Sequence, residues 1–135
     1  MEDRLLLEET LVAALEAVEG LSDRVCPIVD IQKSTGPLAV FEQQDESEEN
    51  AIDGLTGLCT AVYKIHAMHG TYTQMRLLAE QIKIAIQNMR QHADLSLCIE
   101  DVAITMASPD IYEDRVRLFR RTYKITIFYQ IKEEM

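Results

Sequence analysis

Proline and glycine are scarce, at 3 and 5 residues in 135. That scarcity, with 47% apolar and 27% charged residues, places the chain among soluble globular proteins. No stretch approaches the roughly 20 apolar residues of a membrane span. The first residues are charged (Glu2, Asp3, Arg4) and the apolar run after them is short, so no signal peptide is expected and an intracellular location is the default. Cysteines are few and odd in number. Cys26, Cys59 and Cys98 form no CxxC pair and sit among apolar neighbours, which reads as buried, reduced thiols. A catalytic thiol needs a nearby base, and no local pattern supplies one. Nucleophilic triads, phosphate loops, zinc motifs and dinucleotide fingerprints are all missing.

The charge present is mostly negative and unevenly spread. Residues 1–60 carry 14 Asp and Glu against 3 Lys and Arg, whereas residues 61–135 carry 9 against 10. A net charge of -10 is poorly suited to wrapping nucleic acid, because phosphate neutralisation requires a basic surface. An acidic half and a locally basic half suit contacts between copies of one molecule.

At this length a single domain, residues 1–135, is expected to bury a sizeable core. The clearest element runs from Ala61 to Met89. Val62, Tyr63 and Ile65 read as a strand, and Gly70 ends it. Thr71 then stands as N-cap, with Gln74 three residues later in a capping-box position. Met75, Leu78, Ala79, Ile82, Ile86 and Met89 recur at spacings of three and four, which predicts one buried helix face.

Upstream, Glu2 to Glu19 predicts a first helix with Leu7, Leu11, Leu15 and Val18 as its stripe and Gly20 beyond its end. Arg24 to Ile31 contains Pro27, so it reads as an edge strand or an irregular crossing. Lys33 to Pro37 is a turn cluster. Leu38 to Gln44 is a second strand, and the acidic stretch at about 45–57 reads as a long loop. Gly57 to His69 is the central strand. Downstream, Leu97 to Ala107 is a strand, Ser108 to Asp114 a hairpin-like connection, and Arg115 to Ile131 the longest strand. In that last strand Tyr123, Ile125, Ile127, Tyr129 and Ile131 alternate with Arg120, Thr122, Lys124, Thr126 and Gln130. The expected fold is α+β: a two-layer sandwich of two helices on a mainly antiparallel sheet of four to five strands, in the order α-β-β-β-α-β-β.

Several groups invite a chemical reading. Asp45, Ser47 and Glu49 alternate like calcium-loop ligands, but Asn50 replaces the required glycine and Thr56 the closing glutamate. His66 and His69 are three apart and point to opposite faces of a strand, which is wrong for one metal. No metal, cofactor or catalytic residue is therefore expected. The run RVRLFRRTYK is a small basic patch on an acidic chain, better suited to solvent or to acidic groups of a neighbour than to DNA.

Together these features resemble the tail completion proteins of long-tailed bacteriophages, the group that includes tail terminator and head–tail joining proteins. The likeness rests on an N-terminal helix before Arg24-Val25-Cys26-Pro27, then Pro37-Leu38-Ala39-Val40-Phe41 leading into a polar stretch with Gly54 and Gly57. It continues through Val62-Tyr63-Lys64-Ile65-His66-Ala67 running directly into a long helix, and Tyr112 and Asp114 before the closing strand. It spans nearly the whole chain.

The resemblance implies a structural protein of a phage or prophage particle, located in the virion tail and assembled in the bacterial host cytoplasm. Such a protein forms a ring, commonly a hexamer, that caps the tail tube. Its partners are its own copies, the major tail tube protein and the head connector protein, with DNA only in passage through the lumen and no membrane. Asp45, Glu46, Glu48, Glu49 and Asp53 on the acidic side, and Arg117, Arg120, Arg121 and Lys124 on the basic side, are the expected subunit contacts. On this reading, Arg120→Glu with Arg121→Glu is expected to weaken assembly and leave the fold intact. The alternatives are another connector or adaptor subunit of the same particle, or a small α+β enzyme or ligand-binding module using Cys59 or His66.

Overall fold

The computed structural model describes residues 2–27, 37–49, 58–93 and 97–131. Two helices and a five-stranded mixed sheet make an α+β protein. In chain order these are α1 (Glu2–Glu16), β1 (Val25–Pro27), β2 (Leu38–Glu49), β3 (Leu58–His69), α2 (Tyr72–Gln87), a short 3-10 helix (Met89–His92), β4 (Leu97–Glu113) and β5 (Leu118–Ile131). The 3-10 helix is an addition to the expected sequence of elements.

The strands lie in the order β1-β2-β3-β5-β4. β1 pairs parallel to β2, and the other three pairings are antiparallel. β3 is central, as its β-branched and aromatic residues require. β1 is at one edge, where the missing N–H of Pro27 does no harm.

The core lies between the helices and one face of the sheet. Odd-numbered residues of β3 (Ala61, Tyr63, Ile65, Ala67) and β5 (Tyr123, Ile125, Ile127, Tyr129) point into it. They meet Leu7, Leu11 and Leu15 of α1 and Met75, Leu78, Ala79, Ile82 and Ile86 of α2. All six members of the expected stripe, Met89 included, are buried. The opposite sheet face carries a smaller apolar cluster of Leu38, Val40, Met68 and Leu118, flanked by Cys26 and Val116.

Helix α2 begins as its sequence requires. The Gln74 N–H donates to Thr71 Oγ1 at 3.2 Å. The second half of the cap differs from the usual box: the Thr71 hydroxyl donates to the Gln74 side-chain oxygen at 3.0 Å. α1 ends at Glu16, three residues before the expected Glu19. The chain then turns, and Gly20 adopts φ +90, where a Cβ would be strained.

Three expected boundaries need correction. Residues 45–49, expected in a loop, continue strand β2. They pair with β3 from Asp45↔Val62 to Glu49↔Leu58, so their backbone hydrogen bonds outweigh weak strand propensity. Ser108 to Glu113, expected as a connection, belongs to strand β4. Pro109 is tolerated because β4 is an edge strand and its pairing shifts between Ser108 and Ile111. The reversal is instead a tight turn at residues 114–117, so the last strand starts at Leu118 rather than at the expected Arg115. Residues 33–36 of the turn expected at Lys33 to Pro37, residues 28–31 and the remainder of the acidic stretch at 50–57 lie outside the described residues.

Candidate assembly surface

The register places charge at opposite ends of the sheet. β3 runs from Leu58, beside Glu49, to His69, beside Phe119. Eleven residue steps at about 3.3 Å each separate these ends by roughly 36 Å. Asp45, Glu46, Glu48 and Glu49 are four of the last five residues of β2, at the first end. The turn with Arg115 and Arg117 lies at the second. Asp53 lies outside the described residues.

β1 pairs only with Ala39, Val40 and Phe41 of β2. Among the described residues, the acidic half of β2 therefore has a sheet neighbour on one side only.

The expected basic residues divide into two kinds. Arg121 is buried, at 9% exposure. Its Nε donates to Asp110 Oδ1 at 2.8 Å and its Nη2 to Asp110 Oδ2 at 2.8 Å, a fork-on-carboxylate pair. Glu80 Oε1 of α2 lies 3.8 Å from Arg121 Nη1. Tyr72, the first residue of α2, donates its hydroxyl to Asp110 Oδ2 at 3.1 Å. The hydrogen bond from Arg121 holds the Asp110 carboxyl below the usual carboxylate range and pushes Arg121 up. Burial raises the neighbouring Tyr123 phenol. Arg120, on the other sheet face, pairs with Glu113 at 3.0 Å. Both arginines thus have an ion-pair partner within the chain, although the buried Arg120 Nε has no hydrogen-bond partner.

Arg115 and Arg117 are exposed, and neither makes an ion pair among the described residues. Arg117 adopts φ 58, an uncommon conformation for arginine, while its N–H donates to Glu113 O at 2.7 Å. Lys124 is exposed on the face away from the helices. It stands opposite Lys64, which stands opposite Glu42 on its other side. Directly opposed like charges are unfavourable, so this basic spot suits an acidic neighbour.

An aromatic corner lies beside the arginine turn. Phe119 packs against Tyr112 with ring centroids 4.9 Å apart and against Tyr72 at 6.0 Å. Tyr72 and Tyr112 remain 43% and 46% exposed. Sequence reasoning did not single out this corner, because its three rings come from three different elements. The available signal was only that Tyr112 and Phe119 flank a turn.

Cys59 and His66 do not come together. Cys59 is buried in the core under the helices. His66 is seven residues along the same strand, on the opposite face, where Nδ1 lies 2.8 Å from Thr122 Oγ1. His66 Nε2 has no hydrogen-bond partner and sits 3.8 Å from Glu42 Oε1. Burial first, then Arg120, lowers the His66 pKa. His69 accepts a hydrogen bond from the Gly70 N–H at 2.8 Å. Among the described residues no three His, Cys, Asp or Glu side chains are grouped to hold a metal, and no helix is long and apolar enough to cross a membrane.

No family model matches the chain, and no curated protein matches it in sequence. Its fold is similar to that of a solved chain from the virion of a native gene transfer agent particle. The TM-score is 0.62 at 11% identity, covering 92% of this chain and 94% of that one.

Proposed function

We propose that this protein is a structural subunit of a phage or phage-like particle, and that it forms a ring, a hexamer, which caps the tail tube and joins tail to head. The observation that carries the reading is the fold. Its likeness to a chain of a gene transfer agent virion covers both chains almost end to end. The tail-completion pattern in the sequence points the same way.

The charge layout supports a mechanism by geometry rather than by bond chemistry. One end of the sheet is acidic and the other presents free arginines. A contact between unlike patches is heterologous, and it closes into a ring when the rotation per subunit permits. The candidate contacts are Asp45, Glu46, Glu48, Glu49 and Asp53 on one subunit, with Arg117 and Lys124 on the next. Arg120 and Arg121 shape the basic side from within. The partners in this reading are further copies, the major tail tube protein and the head connector protein. DNA passes through the lumen only in transit, and the location is the virion tail.

Electron microscopy of the purified chain mixed with tail tubes tests the reading. The expected result is a ring-shaped cap at one end of each tube. Tubes that stay uncapped at saturating protein overturn it. Binding to isolated head connectors in place of tubes would instead favour an adaptor subunit of the same particle.

A further inference from the structure

Two ways of joining copies present themselves, through a sheet edge or through a sheet end. The open edge of β4 is 17 residues long, but it is blunted. Its register shifts three times, at Ile99/Asp101, Met106/Ser108 and Ser108/Ile111. Pro109 removes a donor, and Glu100 and Asp101 put charge on the strand. These are the devices that keep an edge from pairing with another chain.

The end of the sheet is built differently. Tyr72, Tyr112 and Phe119 form a ring cluster that is exposed yet held in place. Tyr72 is fixed through its hydroxyl to Asp110, which Arg121 grips with two bonds. Rigid, half-exposed tyrosines beside arginines are the side chains that anchor protein interfaces, because little rotamer freedom remains to be lost on binding. Arg115 and Arg117 lie in the adjoining turn. Arg117 keeps a left-handed backbone that glycine would adopt more easily.

We propose that this corner, centred on Tyr112 and flanked by Arg115 and Arg117, is where one copy of the chain receives the acidic end of β2 from a second copy. The occupant follows from charge complementarity. Residues 42–49 hold Glu42, Asp45, Glu46, Glu48 and Glu49 with no cation among them. They also follow from the fold's polarity. About 36 Å of sheet separates the two surfaces, so they cannot meet within one subunit. Each copy therefore offers both halves of a head-to-tail contact. This deepens the ring reading and depends on it.

Sedimentation velocity on the full chain, over a concentration series at low and high salt, tests the assignment. Tyr112→Ala is expected to weaken self-association at least tenfold, and Arg115→Glu with Arg117→Glu to do the same. Leu77→Ala, which trims a 62% exposed leucine on the outer face of α2, is expected to change nothing. Restored association when the Arg115→Glu, Arg117→Glu chain carries Glu48→Lys and Glu49→Lys supports direct pairing. Circular dichroism and thermal melting confirm that each variant is folded.

Wild-type association in Tyr112→Ala overturns the proposal, as does a wild-type chain that stays monomeric to about 1 mM. Neither outcome touches the particle reading, which tube capping judges separately. If wild-type protein and Tyr112→Ala cap tubes equally well, the docking surface is wrong and the particle reading stands.

Discussion

Asp110 and Arg121 are locked in a two-pronged ion pair, with both nitrogen–oxygen distances at 2.8 Å. Asp110 lies within the last register shift of the edge strand β4, between Ser108 and Ile111, and Arg121 on β5 points to the side of the sheet that the helices cover. Tyr72 of α2 binds the same carboxylate. This single carboxylate therefore ties the β4–β5 hairpin to the start of the second helix.

Asp110→Ala should cost about 3 kcal/mol, because it leaves the buried Arg121 guanidinium without its carboxylate. Urea unfolding measures it. The sequence-based expectation that Arg121→Glu leaves the fold intact is replaced by its opposite. Glutamate at 121 would face Asp110 and Glu80, so the variant should melt well below wild type.

The same pair shapes the acid limb of stability. Arg121 holds the Asp110 carboxyl below its ordinary value near 3.8. Its stabilisation is complete above that value and is lost as pH falls through the lowered folded-state value. Asp110→Asn should therefore show a shallower acid limb than wild type in unfolding free energy against pH.

His66 acts at higher pH. Burial and Arg120 push its imidazole below 6.5, while Glu42 and Glu113 oppose this and Lys64 adds to it. Below the unfolded value the unfolded chain takes the proton first, so stability is full above about pH 6.5 and falls as pH drops through the lowered folded value. His69 is shifted in the same direction by burial. His66→Gln, which keeps a partner for Thr122, should flatten part of the decline in stability below about pH 6.5. An unchanged slope would show that His66 does not carry it.

Thr71→Ala removes the oxygen that accepts the Gln74 N–H and should cost about 1 kcal/mol, whereas Thr71→Ser should be close to neutral. Thermal denaturation distinguishes the two.

Arg117→Gly relieves a left-handed arginine and should stabilise the folded chain by about 1 kcal/mol. If Arg117 serves contacts between copies, the same variant should associate more weakly. Stability and association then move in opposite directions, a pattern that a purely structural arginine would not give.

How far the sequence reached varies by element. α2 was legible almost residue by residue, because its apolar spacing, Thr71 cap and preceding Gly70 all agree. β3 and β5 were legible through alternation of branched and aromatic residues with polar ones. The last residues of β2 and the Ser108–Glu113 segment were not. Acidic and proline-bearing sequence reads as loop, but a strand with a good neighbour accepts residues whose own preference is weak. Arg121 was misjudged for a related reason. Alternation places it on the face of Tyr123, but the carboxylate that makes this tolerable comes from an irregular stretch of another strand.

The sequence by itself determined the two helices, the centre of the sheet and the separation of charge along the chain, since these depend on local spacing and composition. Only the tertiary structure decided what that charge can do. Register carries the acidic residues of β2 to one end of the sheet and the arginine turn to the other. It pairs Arg120 and Arg121 internally, leaves Arg115 and Arg117 free, and gathers Tyr72, Tyr112 and Phe119 into one corner. Strand pairing joins residues far apart in the chain, and no local pattern specifies which distant side chain will complete an ion pair or a ring cluster.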